Sequence, residues 1–175
     1  MILWLDGCFG IGKTTVADAI IEMLPKKEAQ IMSADMVFRD EVSKNKMLLL
    51  GGYPLQHNEI FIQIFKERVE SAVSLYKNVI IDMSLVDSKL KEDPIKYFVS
   101  HGYDIIHLVL YAVQDEVVRR IKNDPQRDQQ FALNWVSSQA SLLERYKNDI
   151  HIETTGKSPV EIAREIGSLA FKGEL

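Results

Sequence analysis

Residues 7–14 constrain the fold of this chain more than any other stretch. They read Gly-Cys-Phe-Gly-Ile-Gly-Lys-Thr and follow the apolar run at residues 1–5 after one residue, Asp6. Glycines at this spacing let the backbone wrap closely around a polyphosphate, and the helix that follows adds the positive end of its dipole. The pattern therefore predicts a phosphate-binding loop, or P-loop, between a first strand and a first helix.

The P-loop predicts a site for a nucleoside triphosphate and Mg²⁺. Lys13 is expected to reach the β- and γ-phosphates and to be catalytic, and the Thr14 hydroxyl is expected to face the metal ion. Backbone N–H groups of the loop surround the phosphates in such a site. The predicted nucleotide-binding residues of this segment are Gly7, Cys8, Phe9, Gly10, Ile11, Gly12, Lys13, Thr14 and Thr15.

Composition and charge predict a single domain over residues 1–175. With 46% hydrophobic and 26% charged residues, a chain of 175 residues can bury a core. The formal net charge of −4 argues against nucleic acid as a partner. The single cysteine, without a segment typical of a signal peptide or a membrane span, favours a cytoplasmic protein. Four scattered histidines are expected at the surface or at strand ends: His57, His101, His107 and His151.

Strand-like and helix-like segments alternate along the chain, which is typical of a parallel sheet covered by helices on both faces. One helix is expected to run through Trp135, Gln139, Leu142 and Tyr146, and residues 48–54 are expected to form a loop. The predicted strands are residues 2–6, 29–33, 78–82, 104–112 and 150–153.

Two carboxylates stand at the ends of predicted strands. Asp82 closes the third strand and is, with Thr14, a candidate Mg²⁺ ligand, directly or through water. Asp35 follows the second strand and is a candidate to bind the acceptor and to accept or orient the proton of its hydroxyl. Both also have ordinary explanations as caps of a turn or a helix. Arg39 and Arg68 are further candidates for the acceptor pocket, although snorkelling over apolar neighbours explains Arg68 almost as well.

Basic residues flank a polar segment that resembles a lid, at approximately residues 122–132. Arg120 and Arg127 are candidates for stabilising the transferred phosphoryl group, because planar guanidinium groups clamp phosphate oxygens. Arg119 is a candidate for contacting the nucleotide. The alternative explanation is a solvated helix end whose basic residues complement the helix dipole.

Two other positions bear on the chemistry. Hydrolytic ATPases usually place a glutamate after the aspartate that ends their metal-site strand, whereas Met83 follows Asp82 here. Guanine-specific GTPases carry Asn-Lys-x-Asp after a late strand, and residues 147–150 read Lys-Asn-Asp-Ile instead. Both observations favour phosphoryl transfer to an acceptor over vigorous hydrolysis or GTPase switching.

Taken together, the chain resembles small nucleotide-kinase-like P-loop proteins, and within them the bacterial tunicamycin-resistance proteins. The resemblance rests on residues 4–14, on Asp35 and Asp82, on the arginine-bearing lid and on residues 153–159. It implies a P-loop NTPase fold of three α/β/α layers, with a five-stranded parallel sheet in the order 2-3-1-4-5, a short lid and ATP as phosphoryl donor. The residues that it places against the adenine are Thr155, Gly156 and Lys157.

The sequence thus predicts an ATP-dependent phosphotransferase, with ATP and Mg²⁺ as cofactors, that moves the γ-phosphoryl group to a hydroxyl of a small molecule. An antibiotic and a nucleoside-like compound are candidate acceptors. Two alternatives stay open: an ATP-binding resistance or regulatory protein that sequesters a ligand without phosphoryl transfer, and a toxin-like kinase of amino-sugar nucleotides. A monomer and a homodimer also stay open.

Overall fold

A five-stranded parallel sheet forms the centre of the computed structural model, which describes residues 1–25, 27–51, 55–87, 93–125 and 128–171. The strands are β1 (Ile2–Asp6), β2 (Ala29–Ser33), β3 (Asn78–Asp82), β4 (Ile105–Tyr111) and β5 (Ile150–Glu153). Their order across the sheet is β2-β3-β1-β4-β5, and every neighbouring pair is parallel. The structure confirms the predicted strand order, and β4 is one residue shorter at each end than predicted.

Helices cover both faces of the sheet. The connection from β1 to β2 runs in one direction across the sheet, and the later connections run in the other. Because parallel crossovers are right-handed, the two directions place their helices on opposite faces. The helices are α1 (Lys13–Met23), α2 (Ala34–Lys44), α3 (Glu59–Leu75), α4 (Pro94–Ser100), α5 (Gln114–Lys122), α6 (Gln129–Asn134), α7 (Gln139–Arg145) and α8 (Pro159–Ala170). Short 3-10 helices occupy Lys46–Gly51, Leu55–His57 and Val136–Ser138.

Polar side chains begin several helices, whereas α1 begins without one. The Asn58 side chain accepts a hydrogen bond from the Phe61 N–H at 3.0 Å at the start of α3. Ser158 and Glu161 form a capping box at the start of α8. In contrast, α1 follows Gly12 and has no side-chain cap. Its first N–H groups therefore lack the side-chain partner that α3, α4, α6 and α8 have, which suits a bound anion.

The segment after α2 differs from the loop predicted at residues 48–54. Lys46–Gly51 forms a 3-10 helix, and its Leu48 is fully buried. The Leu48 carbonyl oxygen also accepts a hydrogen bond from Asn58 Nδ2 at 2.7 Å. Burial and this bond hold the segment against α3, while residues 52–54 lie outside the described part of the chain.

The single helix predicted around Trp135 and Tyr146 is broken in the structure. α6 ends at Asn134, a 3-10 turn follows, and α7 begins at Gln139. At the break, Trp135 packs against the Phe9 ring of the P-loop, with ring centroids 6.4 Å apart. The helix therefore breaks where the chain contacts a distant segment, and helical periodicity in the sequence carries no information about such contacts.

The core is centred on β1 and β3, whose residues are all buried. The Trp4 ring packs against Phe65 and Phe98, with centroid distances of 6.2 and 6.4 Å. Its Nε1 donates to the Met83 carbonyl oxygen at 3.1 Å, which ties β1 to the segment after β3. In the part of the chain that the structure describes, no helix has the length and apolar character to cross a lipid bilayer.

Candidate nucleotide and acceptor site

The P-loop joins the end of β1 to the start of α1, as the sequence predicts. Lys13 is only 9% exposed, and its Nζ donates to the carbonyl oxygens of Gly7 and Cys8 at 3.0 and 3.2 Å. A Cβ at Gly10 would lie 2.5 Å from Cγ1 of Ile121, and Gly10 has a φ of +81°. The loop can therefore pack against α5 only with glycine at this position.

Thr14 and Asp82 meet beside the P-loop. The Thr14 hydroxyl donates to Asp82 Oδ2 at 2.7 Å, and Asp82 is adjacent to Leu5 across the β1–β3 pair. Hydroxyl and carboxylate oxygens are the ligands that Mg²⁺ accepts alongside phosphate oxygens and water. The uncapped start of α1, the lysine and this oxygen pair together fit a triphosphate and its metal ion.

A cavity extends from the P-loop toward α2. Its wall contains Lys13, Thr14 and Asp82 together with Asp35 and Gln56. Asp35 lies in the first turn of α2, directly after β2, and is exposed. The structure thus brings the Asp35 and Asp82 carboxylates to the same end of the sheet as the P-loop, because the carboxyl ends of parallel strands share one edge.

A second cavity is lined by P-loop residues, Arg119 and Lys157. Arg119 is paired through two hydrogen bonds with Glu116, at 2.8 and 2.9 Å. These bonds from Arg119, together with Arg120, lower the pKa of Glu116 to about 2. Thr155 lies two residues before Lys157 in the sequence, and its Oγ1 accepts a hydrogen bond from the Val113 N–H at 3.0 Å.

Arg120 connects the P-loop to the end of β5. Its Nη1 donates to the Ile11 carbonyl oxygen at 3.0 Å, and its Nη2 donates to the Thr154 carbonyl oxygen at 2.8 Å. Its Nε donates to Glu116 at 2.9 Å. These bonds hold the P-loop in place. Arg120 is also one of the residues that line the second cavity.

The sequence model of one protein family, described as an AAA domain, matches residues 2–144. The chain belongs to this family, AAA_33. None of the curated proteins matches it.

Solved structures show the same fold at low sequence identity. The tunicamycin resistance protein of Deinococcus radiodurans has a TM-score of 0.72 and 19% identity, over 96% of this chain and 94% of that one. A sugar kinase from Janibacter sp. HTCC2649 has a TM-score of 0.66 and 13% identity, with coverages of 99% and 95%. A shikimate kinase from Bacteroides thetaiotaomicron has a TM-score of 0.63 and 13% identity, with coverages of 97% and 97%. The fold of this AAA_33 chain is therefore the P-loop kinase fold.

The other predicted arginines of this AAA_33 chain lie away from the first cavity or outside the described residues. Arg39 is exposed on α2, and Arg68 forms an ion pair with Glu41. Neither belongs to the described wall of the first cavity. Arg127 falls outside the described residues, so its catalytic role stays a prediction. The described part of the predicted lid comprises the end of α5 and the first turn of α6.

The prediction that the histidines lie at the surface or at strand ends is wrong for His107. It lies in the middle of β4, is 7% exposed, and sits between the carboxylates of Asp6 and Asp149. Burial lowers its pKa, but hydrogen bonds and charge from the two carboxylates outweigh burial and raise it above its usual value. A lone histidine inside an apolar run was the available sequence signal, since a buried imidazole needs polar partners.

Proposed function

We propose that this protein is an ATP-dependent phosphotransferase that moves the γ-phosphoryl group of ATP to a hydroxyl of a small molecule. The observation that carries the proposal is that Asp35 lines the same cavity as Lys13, Thr14 and Asp82. A carboxylate beside a phosphate cradle can take the proton of an attacking hydroxyl. The kinase fold of the neighbouring structures supports the proposal.

In this proposal the P-loop holds the triphosphate of ATP. Backbone N–H groups and the start of α1 surround the phosphates, and Lys13 turns from the loop carbonyls toward the β- and γ-phosphate oxygens. Thr14 and Asp82 would hold Mg²⁺. The bound ion would supply positive charge that offsets the charge on the phosphate oxygens.

Asp35 orients the acceptor hydroxyl and receives its proton. The hydroxyl oxygen forms a bond to the γ-phosphorus while the bond from that phosphorus to the β–γ bridging oxygen breaks. The bridging oxygen keeps the electron pair and leaves with ADP, and the hydroxyl proton moves to the Asp35 carboxylate. Positioning and charge stabilisation then account for most of the rate.

The second cavity is the proposed place of the nucleotide base. Arg119 and Lys157 form part of its wall, and Thr155 and Gly156 follow the strand that Arg120 ties to the P-loop. Arg120 supports the loop in this arrangement, and phosphate contacts by Arg120 and Arg127 remain predictions for a closed state. Acceptor contacts by Arg39 and Arg68 also remain predictions.

The experiment incubates the protein with labelled ATP, Mg²⁺ and a panel of nucleosides, sugars and antibiotics. We expect label transfer to at least one panel member, abolished by Lys13→Ala and lowered ~100- to 10,000-fold in kcat by Asp35→Asn. Asp40→Asn, at an exposed position of the same helix, is the matched control.

Binding of an ATP analogue to each variant separates the two roles. Asp35→Asn should bind the analogue as the parent protein does, whereas Lys13→Ala should not. Full turnover in Asp35→Asn would overturn the proton-transfer role. Tight binding of an antibiotic without label transfer would favour a protein that sequesters its ligand.

A further inference from the structure

Gln56 has a buried amide donor with no partner beside the proposed acceptor cavity. It lies in the 3-10 helix Leu55–His57, is 5% exposed, and lines the cavity together with Asp35. Among the residues that the structure describes, none accepts a hydrogen bond from its Nε2. Buried polar groups in folded proteins are almost always hydrogen-bonded, so the orphan Nε2 of a residue that lines the cavity is a candidate donor to a bound ligand.

The orientation of the Gln56 amide is set by Asp87. The Asp87 backbone N–H donates to Gln56 Oε1 at 3.3 Å. A backbone N–H can only donate, so the oxygen of the amide faces Asp87 and its NH₂ group does not. Asp87 is itself held by His57, whose Nε2 lies 2.7 Å from Asp87 Oδ2. The donor is therefore oriented before any ligand binds.

The charges in the cavity wall indicate what this donor can recognise. Asp35 and Asp82 both bring carboxylates to the wall, and Lys13 is the residue proposed to bind the phosphates of ATP. An anionic acceptor would bring its charge close to the Asp35 carboxylate and to the γ-phosphate of ATP, which is unfavourable. A neutral hydroxyl can donate to a carboxylate and accept from an amide at once.

We infer that Gln56 selects the acceptor, by donating from Nε2 to an oxygen of a neutral polyhydroxylated molecule whose attacking hydroxyl lies at Asp35. This inference rests on the proposed function. The acceptor class is a free sugar or the sugar of a nucleoside, with at least two oxygens close enough to reach Gln56 and Asp35 together.

The test uses glucose and uridine, each beside an anionic counterpart, glucuronate and uridine monophosphate. Gln56→Glu keeps an oxygen for the Asp87 N–H, replaces the amide donor with an acceptor and adds a negative charge, and Gln63→Glu makes the same change on an exposed position of α3. We expect a neutral compound to be the better substrate. In Gln56→Glu its KM should rise at least about tenfold, with a smaller change in kcat and the same affinity for an ATP analogue.

A second measurement follows the Gln56 side-chain amide by NMR in the unaltered protein, assigned through its proximity to the Asp87 N–H. A shift of this signal with glucose or uridine supports the inference even if no phosphate is transferred, in which case the proposed function alone fails. Transfer with an unchanged KM in Gln56→Glu, or a preference for the anionic compounds, overturns the inference and leaves the proposed function standing. If neither phosphate transfer nor a shift of the amide signal is observed, the inference and the proposed function are both overturned.

Discussion

His107 Nε2 lies 3.4 Å from Asp6 Oδ2, which places an imidazole beside a buried carboxylate inside the sheet directly below the P-loop. Asp6 Oδ1 accepts hydrogen bonds from the Gly7 N–H at 2.6 Å and from the Leu85 N–H at 2.8 Å. His107 is in turn held by Asp149 through Nδ1 at 2.8 Å. A histidine in β4 therefore supports the carboxylate that fixes the first glycine of the loop and the segment after β3.

The stabilising effect of His107 should weaken as the pH rises. Its pKa is raised in the folded protein, so its charged form contributes fully below the ordinary value of 6.5 and is lost as the pH passes through the raised value. Urea unfolding of the parent and of His107→Gln between pH 6 and 9 measures this. We expect the difference in unfolding free energy to shrink with pH, by at most about 1.4 kcal/mol per pH unit. If this difference in unfolding free energy stays constant or grows with pH, His107 is not charged in the folded protein.

Gly10→Ala should cost more stability than Gly102→Ala. Both glycines have nearly the same positive φ, +81° and +79°, but a Cβ at Gly10 would meet Ile121 at 2.5 Å while one at Gly102 meets nothing within 4 Å. We expect about 1 kcal/mol for Gly102→Ala from backbone strain alone and roughly 1–3 kcal/mol more for Gly10→Ala. Unfolding free energies measure both. Equal losses would show that α5 gives way without cost.

Gly10→Ala should also weaken binding of an ATP analogue, because relieving the clash with Ile121 moves the loop backbone. Gly102→Ala, in the turn after α4, serves as the control with unchanged binding. Calorimetric titration of both variants tests this. Parent-like affinity in Gly10→Ala would mean that the loop tolerates the displacement.

Thr14→Val and Asp82→Asn should each raise the Mg²⁺ concentration needed for tight binding of an ATP analogue. Since the Thr14 hydroxyl donates to Asp82 Oδ2 at 2.7 Å, the two groups act as one unit. We expect the double variant to lose less than the sum of the single losses. Mg²⁺ titrations of the parent, the two single variants and the double variant complete a double-mutant cycle. Strict additivity would place the two residues in separate roles.

Cys8 should resist alkylation in the folded protein. The side chain is fully buried, and burial raises the pKa of its thiol to about 11, so the reactive thiolate is scarce at pH 8. Iodoacetamide labelling followed by mass spectrometry should show little modification until urea unfolds the protein. Rapid labelling of the native protein at pH 8 would show that the loop opens readily.

Local patterns in the sequence were enough to predict where the P-loop and the two strand-end carboxylates lie. The motif at residues 7–14 determines its own loop, since its glycines, Lys13 and Thr14 act on neighbouring backbone. Asp35 and Asp82 were predictable because each follows a recognisable strand, and strand ends meet at one edge of a parallel sheet. The break at Trp135 was not predictable, because it accompanies packing against Phe9 on a distant segment.

The sequence by itself determined the P-loop, the alternation of strands and helices, and the chemical character of the strand ends. Only the tertiary structure decided that His107 lies beside Asp6, that Arg120 braces the loop, and that Gln56 reaches the cavity wall of Asp35. The physical reason is how far apart in the sequence the interacting residues lie. Periodicity and glycine spacing report forces between neighbours in the chain, whereas a buried polar contact depends on which strands pair and where each connection crosses the sheet.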